Sequence, residues 1–444
     1  MMSDHGGRKV WGKTKRNRED LEENPNIPIA ARVGRMMKKV SITSEEEEAV
    51  GPQQQFLTMN GKVYSLRYQD DFVDASVKEV DLLNELEVSK LYHCDGLVLC
   101  VAKDNSELVL WNPYLCQTRW IGPRESFHLS DRHAVGYDEG RNHKILRFWD
   151  NFIRNMKRIE VVYEIYEIRS NSWRVLEEVN HEGLIDTHQR GVSVKGNTYF
   201  VANHYGLAHK VSLICFDFTK ERFGPRLPLP FDSFDGFNGD LVTLSSFFRG
   251  GGDDEQLAVL FGGYESGFFE FWVTLTVHPN RASWSKFLRM EPGPFSGYGF
   301  KLYSSFSGGS FFVDEENKFA VLFELYGSKT KTVHAAFVFG QDGFFKSSVN
   351  LGQALILEHH HHKAARPPLV CSYRPSFVQV KENERLVSSS HQQTHVPFIT
   401  THAPFYSTTR SKSSLEPPKF YHYKNKITKL SLNHQEKQAR VRLK

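Results

Sequence analysis

Leu97–Trp120 reads LVLCVAKDNSELVLWNPYLCQTRW, and the rest of the chain repeats its pattern. Two apolar runs, Leu97–Val101 and Leu108–Trp111, flank a six-residue polar turn. They are followed by Trp-Asn-Pro, a second turn and a closing aromatic at Trp120. Apolar runs rich in β-branched residues and bounded by Asp, Asn and Ser spell strands joined by a hairpin. Pro113 lacks a backbone N–H and marks the end of a strand. The unit is an antiparallel hairpin whose exit strand carries a large aromatic.

The pattern recurs downstream. His143–Trp149 and Val161–Ile168 flank a charged loop at Asn151–Arg158, and Ser170-Asn-Ser-Trp173 follows. Then come Gly196–Val201, Val211–Phe218 and Thr219–Phe223; next Gln256–Phe261, Phe268–Val277 and Ser283–Phe287; last Gly309–Val313, Phe319–Leu325 and Ala335–Phe345. The turn-plus-aromatic signatures fall at Trp111, Trp173, Phe223, Trp284 and Phe345, at intervals of 62, 50, 61 and 61 residues. Four-stranded propeller blades recur at about 40–50 residues, and insertions in blade loops lengthen that period. No long segment carries the 3.6-residue apolar spacing of a helix. Strand units without helices bury their apolar faces against one another, and a ring of small sheets does this while leaving short edges. The expected fold is therefore all-β, a β-propeller-like (kelch-like) array of antiparallel hairpins, with a pair of β-sandwiches as the alternative.

Composition agrees. Of 444 residues 40% are hydrophobic, enough for a substantial core, and 13% are aromatic, including 34 Phe; aromatics favour pleated, half-buried surfaces. A net charge of +4 from 56 basic and 52 acidic residues is too weak to argue for nucleic acid or a membrane surface. No apolar run approaches the ~20 residues of a spanning helix, and the first twenty residues contain no signal-peptide core. Five cysteines (Cys94, Cys100, Cys116, Cys215 and Cys371), with no CxxC pair, fit neither a disulfide framework nor a zinc site. They point to a reduced, intracellular protein of cytoplasm or nucleus.

Three parts follow from these shifts. Residues 1–55 are polar, with a basic block at Arg8–Arg18 and an acidic run at Glu45–Glu48, and are expected to be disordered. Lys13–Arg18 has the composition of a nuclear localisation signal, but a solvated tail explains it as well. Residues 56–380 hold the strand units, entered through Phe56–Arg67 and Ala75–Leu82. Leu369–Val380 has the pattern of a final strand pair that would close the ring. Residues 381–444 form a basic tail rich in Ser, Thr, His and Lys.

Candidate chemistry is sparse. Consecutive histidines at His359–His362 lack the fixed geometry of a specific metal site. Gly250-Gly-Gly-Asp-Asp254 has no following Lys-Ser/Thr, and its two carboxylates would repel phosphate. Ser266, within Gly263–Gly267, is one position off a nucleophile elbow and no helix follows it. His93, His128, His133 and His143 keep no fixed spacing to carboxylates. Cys100 and Cys215 alternate with apolar neighbours, as small core residues do. No catalytic, metal or cofactor residue is expected, and the sequence singles out no partner-binding residue. A propeller hydrolase or oxidase would need convergent polar groups at the ring's centre.

Residues from about Lys90 to Val380, about two-thirds of the chain, resemble the plant F-box-associated domain of type 1, a family of β-propeller-like modules. The matching motifs occur in order: His93-Cys-Asp-Gly-Leu-Val-Leu-Cys100, Leu110-Trp-Asn-Pro113, Arg119-Trp-Ile121, Gly136-Tyr-Asp138 and His143–Arg147. Then come Tyr163–Tyr166 with Ser172-Trp173, Val192–Tyr199, Leu213–Phe218, Glu221–Phe223 and Ser283–Phe287. The resemblance implies a module that selects protein targets for an SCF-type cullin–RING ubiquitin ligase, while an F-box holds the ligase's adaptor subunit. Residues 1–55 show no Leu-Pro start, no Cys-Lys-x-Trp end and no amphipathic helix pair, so the F-box is expected to be missing or eroded. Two readings follow: a substrate-recognition module that joins adaptor and cullin, or a non-ligase interaction protein that keeps only the binding domain and competes with intact relatives.

Overall fold

The computed structural model describes residues 54–381 except for internal segments, the longest being 205–209, 233–239 and 291–309. Among the described residues there is no α-helix, only two 3-10 turns. Six four-stranded antiparallel sheets form the blades. Blade 2 consists of Val88–Cys94, Leu97–Ala102, Leu108–Asn112 and Gln117–Ile121; blade 3 of Arg132–Tyr137, His143–Ile153, Arg158–Glu167 and Ser172–Val175. Blade 4 consists of Val192–Val194, Asn197–His204, Lys210–Asp217 and Arg222–Phe223; blade 5 of Leu241–Phe248, Glu255–Gly262, Phe269–His278 and Arg281–Met290. Blade 6 consists of Ser310–Asp314, Phe319–Gly327, Thr332–Gly340 and Phe345–Gln353. The first strand of each sheet touches the first strand of the next, so these strands surround a common axis. The β-propeller is the fold expected from the repeat.

Blade 1 closes the ring. Its outer three strands, Gln54–Met59, Lys62–Arg67 and Ser76–Glu79, come from the start of the domain. Its innermost strand, Leu369–Tyr373, comes from the end and pairs antiparallel with Gln54–Thr58. Leu369–Val380 is thus one strand plus an extended strap, not a strand pair. The strap crosses onto blade 2. Ser376 Oγ donates to the Asp95 carbonyl at 2.7 Å, and the Val380 N–H donates to Gln117 Oε1 at 2.9 Å. Asn112, from the Trp-Asn-Pro motif, is the clip. Its Nδ2 donates to the carbonyls of Ser376 (3.1 Å) and Val378 (2.7 Å), and its Oδ1 accepts the N–H groups of Tyr114 and Leu115. One buried amide therefore caps its own turn and fastens the strap. Where the strap crosses, a Cβ on Gly96 would lie 2.1 Å from Ser376 Oγ, and Gly96 also sits at φ +74°. Only glycine meets both conditions.

Apolar burial follows the ring. Six hydrophobic clusters each fill one interface between neighbouring blades, including the seam between blades 6 and 1. Trp111 is buried at the interface of blades 1 and 2, 5.0 Å from Phe56, so it serves in packing. Tight Asn60-Gly61, Asp95-Gly96 and Lys195-Gly196 turns have positive φ at both residues, the type I′ geometry that matches strand twist.

The repeat unit needs two corrections. Leu97–Trp120 is not one hairpin but the second, third and fourth strands of blade 2. Trp111 lies on a third strand, whereas Trp173, Trp284, Phe223 and Phe345 lie on fourth strands. Trp120 is the equivalent position. The offset arises because the third strand of blade 2 also carries a tryptophan, Trp111, next to a turn. His359 and His362 lie in a small two-stranded hairpin, Leu357–His359 with His362–Ala364, outside the six blades. The expected F-box loss in 1–55 lies outside the described residues apart from Gln54 and Gln55, which open the first strand, and so does the basic tail at 381–444 apart from Lys381.

If Asn112 is the clip, Asn112→Ala should lower unfolding free energy by about 2–4 kcal/mol, since four backbone groups lose their partner. Urea denaturation should show a shifted midpoint with an unchanged slope. A loss under ~0.5 kcal/mol would mean the strap is held by other contacts.

Candidate interaction faces

Antiparallel blades place the turn after the first strand and the turn after the third strand on one face, the hairpin face. The second turn and the long blade-to-blade connectors lie on the other face. Neighbouring blades are latched on the hairpin face. Asp95 of blade 2 meets His143 (2.9 Å) and Arg141 (3.4 Å) of blade 3. The Tyr137 N–H donates to the Gly196 carbonyl at 3.0 Å, joining blades 3 and 4. Lys195 of blade 4 meets Asp254 of blade 5 (2.7 Å), Arg249 of blade 5 meets Glu315 of blade 6 (3.3 Å), and Tyr68 of blade 1 donates to Asp314 of blade 6 (3.3 Å). Exposed pairs contribute little singly. Here each adds to a packed apolar interface beneath it.

Among the described residues the axis is polar and closely packed. Arg190 of the blade 3–4 connector donates to the carbonyls of Leu91 (3.2 Å) and Val370 (2.7 Å), tying it to blades 2 and 1. Ser372 Oγ donates to the Ser246 carbonyl at 2.8 Å, and Ser310 Oγ accepts the Val370 N–H at 2.6 Å. The cavity among these strands holds about 20 Å³, room for about one water and no substrate. Below it, His93 Nε2 accepts the Gly96 N–H at 3.1 Å, so Nδ1 is the protonated nitrogen of the neutral ring. Glu255 Oε2 accepts the Lys195 N–H at 2.9 Å, and Oε1 stands 3.9 Å from His93 Nδ1. Burial pushes the His93 pKa down to about 4. Burial, with the Asp95 charge adding to it, pushes Glu255 up to about 7, against the Lys195 hydrogen bond. His93 is therefore neutral at pH 7, and the 3.9 Å approach is no ion pair.

The other sequence candidates do not converge. His128 stacks on Trp149 with centroids 5.1 Å apart. His133 is fully buried, neither ring nitrogen has a partner, and burial holds it well below its ordinary pKa. His143 belongs to the latch. Cys100 and Cys215 are buried in interface clusters, and burial pushes both thiols up. Gly250 and Asp254 lie in the first turn of blade 5, where Asp254 serves the latch. Ser266 lies outside the described residues. Among the described residues no three His, Cys, Asp or Glu side chains are grouped as metal ligands.

Two surface features were not legible in the sequence. Tyr114 (45% exposed) and Phe377 (51% exposed) form an edge-to-face pair, centroids 5.3 Å apart, on the hairpin face of blade 2. The turn before the fourth strand of blade 6 presents Phe344, 71% exposed, on the same face. Strap and turn are 263 positions apart in sequence, so no local pattern joins Tyr114 to Phe377. The second feature is a groove of about 560 Å³ between the third-to-fourth-strand turns of blades 4 and 5. Its wall is a close approach, since a Cβ on Gly224 would lie 2.6 Å from the Pro279 carbonyl oxygen.

Fold and faces together define a six-bladed β-propeller closed by its own final described strand, with its inner strands bonded to one another across the axis. The F-box associated beta propeller domain family matches residues 54–380, and the chain belongs to that family. It is 45% identical over 367 residues to an F-box/kelch-repeat protein of Arabidopsis thaliana, covering 74% of this chain and 82% of the relative. A second Arabidopsis F-box/kelch-repeat protein is 42% identical over 77% of this chain and 86% of its own. An Arabidopsis F-box protein is 42% identical over 74% and 86% respectively.

The Glu255 environment makes a pH-dependent prediction. Its folded pKa lies above the 4.5 of an ordinary glutamate. Below about pH 4.5 both folded and unfolded chains hold the proton. As pH rises from 4.5 to about 7 the unfolded chain releases it first, and the folded state loses stability. Glu255→Gln should therefore gain on the wild type across that window, by up to about 3 kcal/mol above pH 7. Urea denaturation of both chains at pH 5 and pH 8 reads the difference. An equal difference at both pH values would show that the carboxylate is already ionised at pH 5.

Proposed function

We propose that this chain is a non-catalytic protein-binding module that selects target proteins for an SCF-type ubiquitin ligase. The observation that carries the reading is membership, over residues 54–380, of a family found in F-box proteins. The cavity of about 20 Å³ among the described inner strands supports it, because it is too small for a substrate. The hairpin face supports it too. Aromatic rings held on a rigid frame are the groups that anchor protein interfaces, and loops on a fixed scaffold are where recognition diversifies. In this reading the propeller spans 56–380, with 1–55 and 381–444 as appended tails, and needs no cofactor. It works in the cytoplasm or nucleus, in keeping with five free cysteines. Its partners are a target protein and the ligase's adaptor and cullin.

A second reading rests on residues 1–55, which carry no Leu-Pro start and no Cys-Lys-x-Trp end. There the chain binds targets without delivering them and competes with intact relatives. Affinity capture on the tagged full chain, beside a chain given a working F-box, separates the two. Adaptor and cullin recovered with the native chain, and faster turnover of the captured target, are the outcome for a ligase subunit. A shared target captured by both chains, with adaptor only on the F-box-bearing one, is the outcome for a competitor. Capture of no protein by either chain sinks both.

A further inference from the structure

The groove between blades 4 and 5 has a consistent chemistry. Asp217 and Lys220 form its inner edge, with Lys220 Nζ 3.0 Å from the Asp217 carboxylate. That carboxylate also accepts the N–H groups of Thr219 and Lys220, so its charge is spent within its own turn. Burial works against the Asp217 carboxylate, but these hydrogen bonds outweigh it and hold the pKa below the ordinary value. Arg222, on the same lining, is exposed and has no ion pair or side-chain hydrogen bond among the described residues. On the opposite wall His278 and Asn280 are exposed, and the exposed Arg281 follows in the same turn. The groove lining therefore carries one uncompensated positive charge, Arg222, and the exposed Arg281 stands just beyond its blade 5 wall. Pro225 and Pro279 supply apolar surface between.

A volume of about 560 Å³ suits a few side chains. The groove is half open, so a chain can enter and leave along it. Its walls are strand turns fixed by the propeller frame, which lowers the ordering cost of binding. We propose that this groove is a docking site for an acidic, extended segment of a partner protein, with Arg222 and Arg281 meeting carboxylates and Pro225 and Pro279 packing on aliphatic stems. The proposal rests on the protein-binding reading above and specifies where, and what kind of segment, the module holds.

The test uses a library of random twelve-residue peptides displayed on phage and selected on the full chain. Parallel selections use Arg222→Glu, Arg281→Glu and, as a charge-matched control, Lys78→Glu on the outer edge of blade 1. All three positions are exposed, and thermal unfolding checks that each variant folds. The expected result is enrichment of Asp/Glu-rich peptides on wild type and Lys78→Glu, lost on the other two. A fluorescent synthetic copy of the best peptide should bind at least about tenfold more weakly to Arg222→Glu and weaken with added salt. Peptides that are not acidic, peptides bound equally by wild type and Arg222→Glu, or no enrichment at all would overturn the assignment. Failure of the wider reading looks different. Acidic peptides that bind while the full chain captures no cellular protein would leave the groove standing and remove the ligase module; a protein target captured undiminished by Arg222→Glu would do the reverse.

Discussion

Everything in this propeller depends on a strand contributed from the far end of the domain. Leu369–Tyr373 is the inner strand of blade 1, 310 residues after the end of the Gln54–Met59 strand it pairs with. Without it the apolar face of blade 1 lacks its inner edge, and the interfaces with blades 2 and 6 each lose part of their cluster, Cys371 and Tyr373 on one side and Val370 on the other. A ring has no weak edge only when its last member is in place. Asn112 then converts closure into a latch, because it fastens the strap to a different blade from the one the strand completes.

The same arrangement explains why the centre does no chemistry in our reading. Inner strands meet end to end around the axis, so their polar side chains satisfy the carbonyls of other blades. Arg190, Ser372 and Ser310 bond across blade boundaries. Buried polar groups left without partners are costly, and satisfied ones specify one geometry. His93, His133 and Glu255 are among the exceptions, each with at least one unpartnered atom, and their shifted protonation is the cost of that position. Recognition then falls to the faces, where the turns are rigid and the side chains exposed.

Much of the blade pattern was legible. Strands second to fourth in each blade alternate or run apolar because they pack between sheets, and the fourth strands carry aromatics at Trp173, Phe223, Trp284 and Phe345. The inner strands were harder. Arg132-His-Ala-Val-Gly-Tyr137 and Leu241-Val-Thr-Leu-Ser-Ser-Phe-Phe248 mix polar with apolar residues, since one side faces the crowded axis rather than a neighbouring sheet. The groove and the Tyr114–Phe377 pair were not legible at all, because each joins segments that only the ring brings together.

The sequence by itself determined the all-β class, the repeat and the family, for these rest on local periodicity and motifs that stand in order along the chain. It also placed Cys100 and Cys215 in the core. Tertiary structure alone decided that the blades number six, that Leu369–Tyr373 completes the first of them, and that Asn112 clips the strap. It alone bonded the inner strands to one another across the axis and set unpaired cations on facing turns of blades 4 and 5. Those outcomes depend on which distant segments share a boundary, and ring closure, not local propensity, sets that.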